Sequence, residues 1–198
     1  MDGQEVVQAC VENTPDIELE LVRGLLANSA EAHSELYDRF AARIQRFVAA
    51  RLPEDPETAE DIAVQALISA AKDIRHFNPK QSSFVSWLYG IARRRIIKEL
   101  RLKNRLKSVP ASAQIPLESA PETDSRQPLD EKSASHIDAQ RKIALLSQTL
   151  SQVEMDVLIL NSIEELSLRE IGKIVGRSER AVHSLLYRVR QKARDLLA

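Results

Sequence analysis

The chain has one cysteine, Cys10, so no disulfide can close within it. The four histidines, His33, His76, His136 and His183, lie far apart, and none has a cysteine or histidine at ligand spacing. No metal site is expected. Five glycines in 198 residues leave no phosphate-cradling loop, and no nucleophile stands beside a base in a recognisable catalytic motif. These absences argue against an enzyme and imply no cofactor. Nowhere do about 18 apolar residues run together, and the acidic N-terminal segment has no basic stretch followed by an apolar one. No membrane insertion or export is expected, which places the protein in the cytoplasm.

Aromatic residues make up 4% of the chain, and the long segments repeat their apolar positions at helical rather than alternating intervals. The expected class is all-α. Helices are expected over Leu19–Ala27, Ser34–Arg51, Pro56–Ile74, Ser82–Lys107, Ile137–Leu150 and Gln152–Ile163, followed by a helical pair. Pro53 and Pro56 interrupt the second and third, and Asn78-Pro79-Lys80 interrupts the third and fourth. The tract from Ser108 to Ser135 holds Pro110, Pro116, Pro121 and Pro128 among small and acidic residues. It has too few large apolar side chains to build a core, and so reads as a flexible linker. The expected plan is an acidic tail at 1–20, a helical domain at 21–107, a flexible acidic linker at 108–136 and a second helical domain at 137–198.

The net charge of −1 conceals a strong segregation along the chain. Residues 1–20 carry six acidic and no basic side chains, whereas 21–107 carry sixteen basic and ten acidic ones. The linker and its flank, 108–140, are again acidic, with six acids against two bases, and 141–198 have ten bases against seven acids. Two basic helical modules therefore flank an acidic connector, a distribution suited to binding polyanions.

The second module ends in a helix-turn-helix pattern. Leu168, Ile171, Ile174 and Val175 recur at helical spacing, as do Val182, Leu185, Leu186 and Val189 after Gly176. Ser178 is placed to cap the second helix. Its outer face carries Arg177, Arg180, His183, Ser184 and Arg188, side chains able to read guanine edges or hold phosphates in a major groove. In the first module, eight basic residues and a single acid lie between Arg93 and Lys107. Just upstream, Trp87 can stack on an unpaired base or pack in a core with Phe84, Leu88 and Ile91. Opposite in sign are Glu57, Glu60 and Asp61 in the first turns of another helix. The helix dipole alone favours them there, but with Ile62, Leu67 and Ile68 they also make an acidic and apolar docking face.

The succession Leu36-Tyr37, Ala59-Glu60-Asp61-Ile62, Phe77, Trp87-Leu88-Tyr89-Gly90-Ile91-Ala92-Arg93, a linker, Glu170-Ile171-Gly172 and Arg188-Val189-Arg190 resembles the bacterial sigma factors of the extracytoplasmic-function group. The resemblance implies a sigma factor that binds core RNA polymerase, directs it to a subset of promoters and helps to melt them. On these residues it implies polymerase docking through Glu60, Asp61 and Gln65. It implies contact with the melted minus-ten element through Asn78, Lys80, Trp87, Arg93, Arg94, Lys98 and Arg101. Duplex recognition at the minus-thirty-five element then falls to Arg177, Ser178, Arg180, His183, Ser184 and Arg188. An anti-sigma protein is a further partner that the resemblance implies. The chain departs from the family pattern at Val64, where Gln is usual, at Arg94, where Asn is usual, and at Glu179-Arg180-Ala181-Val182. A stand-alone helix-turn-helix regulator with an N-terminal sensor or dimerisation domain is the alternative reading.

Overall fold

The computed structural model describes residues 16–108 and 141–197 and is helical throughout, with no strand among these residues. The first module consists of α1 (Asp16–Leu26), α2 (Ala30–Ala49), α3 (Pro56–Lys72), a 3-10 turn (Ile74–His76) and α4 (Phe84–Ser108). The second consists of α5 (residues 141–149), α6 (Gln152–Ser162), α7 (Leu168–Val175) and α8 (Glu179–Leu197). Of the expected tail, residues 1–15 lie outside the described residues, as do linker residues 109–140.

Local chemistry sets the helix starts. Helix α2 begins four residues before the expected Ser34, because the side chain of Ser29 accepts from the Ala32 N–H at 3.3 Å and caps it. Its buried stripe is Ala32, Leu36, Phe40, Ile44, Phe47 and Val48, the spacing a core-facing helix requires. Asp55 caps α3 by accepting from Thr58 N–H at 2.9 Å, and Pro56 occupies the first turn, where its missing N–H costs nothing. The face that α3 turns inward is mostly alanine, Ala59, Ala63, Ala66 and Ala70 with Leu67, which lets it lie close against α2. Ser151 with Glu154, and Ser167 with Glu170, form capping boxes that start α6 and α7.

The first module is centred on α4, whose Phe84, Leu88, Tyr89, Ala92 and Ile96 are fully buried. An aromatic cluster anchors its N-terminal end. Phe84 lies 5.7 Å from Phe40, 5.8 Å from Phe77 and 5.9 Å from Trp87, ring centre to ring centre, and Phe77 lies 5.4 Å from Trp87. Because Phe77 and Phe84 bracket it, the loop from Asn78 to Ser83 is pinned at both ends. In the second module, Met155, Val157, Leu160, Ile171, Val182 and Val189 fill the space between α6, α7 and α8.

Two partly buried carboxylates carry acid sensitivity of the fold. The hydrogen bond from Lys192 holds Glu154 down at about 2, and those from Lys103 and from Thr58 hold Asp55 down at about 2. A depressed carboxylate stabilises the fold at every pH above its unfolded range, and that contribution is lost as pH falls towards 2. Melting temperature is therefore expected to drop between pH 4.5 and 2. The Asp55→Asn/Glu154→Gln double variant should melt lower at neutral pH and show a shallower acid slope, measured by circular dichroism.

Candidate nucleic-acid interface

The helix-turn-helix forms as its residues dictate. Gly176 ends α7 in the left-handed conformation at φ 70°, where a side chain would be strained. The Gly172 carbonyl accepts from the N–H groups of Gly176 and Arg177, the latter at 2.9 Å. The Ser178 hydroxyl accepts from Ala181 N–H at 3.3 Å and caps α8. Arg177, Ser178, Arg180, His183, Ser184 and Arg188 are all exposed. Tyr187 joins them, 63% exposed on the same side of α8, a residue that the sequence reading passed over although its spacing from Arg180 and Ser184 signals it.

On α4 the basic residues divide between two faces. Arg94, Lys98, Arg101 and Arg105 follow one another at helical spacing and line an open groove of about 490 Å³ with Ile97 and Leu102. Four cations along one groove give a surface that can track a phosphate backbone. Arg95 turns instead to Ser69, donating to its hydroxyl at 2.5 Å. Arg93 turns to the second module, where its Nε donates to Asp156 at 2.7 Å. Trp87 is half-buried against Phe77 and Phe84. In the adjoining loop, Asn78 Oδ1 accepts from the Lys80 N–H at 3.0 Å, a local turn that leaves the Lys80 side chain exposed.

The acidic face lies on α3. Glu60, Asp61 and Gln65 are exposed there, as are Val64 (39%) and Ile68 (40%), with Tyr37 (58%) exposed on neighbouring α2. Of the apolar residues expected to share this face, Leu67 faces the core and Ile62 is partly buried, so Ile68 alone remains outward. Val64, the departure from the family pattern, extends this apolar strip instead of interrupting it.

The contact between the two modules was not legible in the sequence. Asp156, whose side chain is 1% exposed, accepts from Arg51 Nε at 2.9 Å and from Arg93. Glu164, fully buried, accepts from the Tyr89 hydroxyl and from Arg43 Nε at 3.1 Å, with Arg46 at 3.6 Å. Burial, and then the bond to Glu164, push the Tyr89 phenol far above its ordinary range, so it stays a neutral donor. Burial pulls the Arg51 guanidinium down, opposed by Asp156.

Comparison with known proteins bears on both modules. Residues 36–106 match the family described as Sigma-70 region 2, and residues 140–192 match that described as Sigma-70, region 4. Among similar chains is the ECF RNA polymerase sigma factor BldN of Streptomyces coelicolor, 27% identical over 182 residues, which cover 90% of this chain and 65% of that one. Another is the ECF RNA polymerase sigma factor SigE of Mycolicibacterium smegmatis, 27% identical over 168 residues, 83% of this chain and 61% of that one. The chain thus spans somewhat under two thirds of the length of these two relatives. In fold it is similar to CnrH, solved in complex with the cytosolic domain of CnrY, with a TM-score of 0.66 at 21% identity, over 92% of this chain and 97% of that one.

Proposed function

The chain belongs to the extracytoplasmic-function sigma factors of the Sigma-70 family, and from that premise we propose that it binds core RNA polymerase in the cytoplasm, directs it to a subset of promoters and helps to open them. The observation that carries this reading is that one chain matches both region 2 and region 4. A stand-alone regulator needs only the helix-turn-helix. Its work is binding rather than catalysis.

In this reading residues 21–107 form the polymerase and minus-ten module, 108–136 the linker and 137–198 the minus-thirty-five module. Glu60, Asp61 and Gln65 dock on polymerase, supported by the exposed apolar surface of Val64 and Ile68. A charged rim around an apolar strip suits a specific interface, since the strip supplies burial and the charges fix register. Asn78 and Lys80, on a loop held by the Phe77–Phe84 bracket, receive a base flipped from the melted strand beside Trp87. Unstacking a base costs only a few kcal/mol, within what such contacts return. The groove of Arg94, Lys98 and Arg101 holds the phosphates, and Arg93 joins them when it leaves Asp156. On the duplex side, Arg177, Ser178, Arg180, His183, Ser184 and Arg188 enter the major groove. An anti-sigma protein is a partner suggested by CnrH, whose solved complex holds the cytosolic domain of CnrY.

The test is co-elution of the purified chain with bacterial core polymerase, followed by initiation from a library of promoter fragments. Co-elution without initiation, or duplex binding without any polymerase association, would reject the proposal in favour of a regulator. Asp61→Arg should weaken polymerase binding at least about tenfold, equivalent to ~1.4 kcal/mol, in a titration of labelled chain. Asp61 is exposed in the second turn of α3, and a surface substitution of this kind changes stability by only about 0.5 kcal/mol, so the fold should survive. Arg180→Ala should leave polymerase affinity unchanged and reduce discrimination between promoter and mismatched duplex by about 1–3 kcal/mol, read by competition binding.

A further inference from the structure

The two modules share one hydrophobic cluster, and beside it they meet through charge. In the ion pairs that cross their junction among the described residues, the acids come from the second module and the bases from the first: Asp156 meets Arg51 and Arg93, and Glu164 meets Arg43 and Arg46 and also accepts from the Tyr89 hydroxyl. A sixth polar contact, the Ser83 hydroxyl donating to Glu170 at 3.2 Å, ties the minus-ten loop to the first turn of α7. Helix α7 packs directly on α4. Arg93 is therefore occupied, and the loop that carries Asn78 and Lys80 is tied at Ser83 to the helix-turn-helix.

This closed arrangement cannot serve both promoter elements at once. The minus-ten and minus-thirty-five elements are about 25 base pairs apart, or about 85 Å at 3.4 Å per step. A compact chain of this length has a radius of gyration of about 16 Å and spans about 40 Å. Residues 109–140 supply enough chain to bridge a separation of the modules, since 32 residues extend to about 100 Å.

We propose that Asp156 and Glu164 form a latch that holds the free protein closed, occupying arginines of the first module with carboxylates, and that loading onto polymerase and promoter breaks it. The inference rests on the sigma-factor reading for what the open state does, but the latch itself is a property of the free chain. Ion pairs suit the specific part of this role, beside the apolar packing that the modules share. The cost of desolvating buried charges offsets much of their attraction, so they fix one register without making separation prohibitive. Once apart, both partners regain water, and polymerase surfaces or phosphates can take the arginines.

The test places cysteines at Ser82 and Arg169, each one residue from the Ser83–Glu170 contact, in a full-length Cys10→Ser background. A short bismaleimide with a cleavable disulfide then reports closure. Ready cross-linking is expected, falling at least fivefold in the Asp156→Asn/Glu164→Gln variant and, from the other side of the junction, in Arg43→Gln/Arg51→Gln. Helical content by circular dichroism separates opening from unfolding. Should the first pair unfold, the second decides. The cross-linked chain should initiate at under a tenth of the rate of the same chain after reduction. Cross-linking that is inefficient in the starting chain, or unchanged in a folded variant, overturns the latch. Equal initiation before and after cleavage overturns its inhibitory role. Failure of the reduced chain to bind polymerase counts instead against the sigma reading, and the cross-linking yields still decide whether the latch exists.

Discussion

Gly172→Val is expected to lower affinity for minus-thirty-five duplex at least about a hundredfold, or ~2.7 kcal/mol, while binding to core polymerase through α3 is retained. A Cβ at this position would stand 2.6 Å from the carbonyl oxygen of Arg177, far inside van der Waals contact. That oxygen belongs to backbone, and to the turn that aims α8, so no flexible side chain can give way. Relief requires α8 to tilt or the turn to open, and overpacking of this kind costs about 1–3 kcal/mol even before recognition is lost. Gly176→Ala is the control. Its φ of 70° imposes about 1–2 kcal/mol of strain, but nothing lies within 4 Å of the added carbon, so α8 keeps its aim and duplex affinity should change less than about threefold. Fluorescence anisotropy on a promoter duplex with each variant measures both. Equal losses in the two would mean that the close approach at Gly172 does not orient α8.

Phe84→Ala should have the largest effect on stability, about 3–5 kcal/mol. The ring is fully buried at the start of α4 and touches Phe40, Phe77 and Trp87, so its removal leaves a cavity that three rigid rings cannot collapse to fill. The loss is a large part of the 5–15 kcal/mol that holds a domain together. It should appear as a lower guanidinium midpoint with little change in slope. Because Phe84 is one end of the bracket around residues 78–83, capture of melted minus-ten strand should fail at temperatures where polymerase still binds. Tyr37→Ala, which removes an exposed ring, should shift the midpoint by no more than about 0.5 kcal/mol. A similar loss at both positions would refute the aromatic cluster as the anchor of the loop.

The division between sequence and tertiary structure can be drawn residue by residue. Helical class, the break at Asn78-Pro79, the turn at Gly176 and the cap at Ser178 were all legible, because each depends on neighbours within a few residues. The exposure of Arg180, His183, Ser184 and Arg188 followed from the same periodicity, and so did that of Glu60 and Asp61. Helix α2 reached back to Ala30 because Ser29 caps it, a signal present in the sequence but weaker than the apolar stripe beginning at Ala32. Trp87 had two readings, stacking surface or core, and its half-buried position against Phe77 and Phe84 gives it a share of each.

Charge defeated the local reading at the junction. Arg93 lies in a run of cations and by pattern belongs with Arg94 and Lys98, but one step along a helix turns a side chain by about 100°, and it faces Asp156, 63 residues away. Asp156 lies inside α6 and Glu164 in the turn that follows it. Nothing near them in the chain marks them for burial, since their partners Arg51, Arg43 and Tyr89 lie 75 to 121 residues distant. The sequence by itself determined the helices, their caps and turns, and the outward charged residues of α3 and α8, because short-range hydrogen bonding and periodic burial decide those. Only the tertiary structure decided which charges turn inward, because burying a carboxylate is favourable only where distant segments bring enough donors to replace its water.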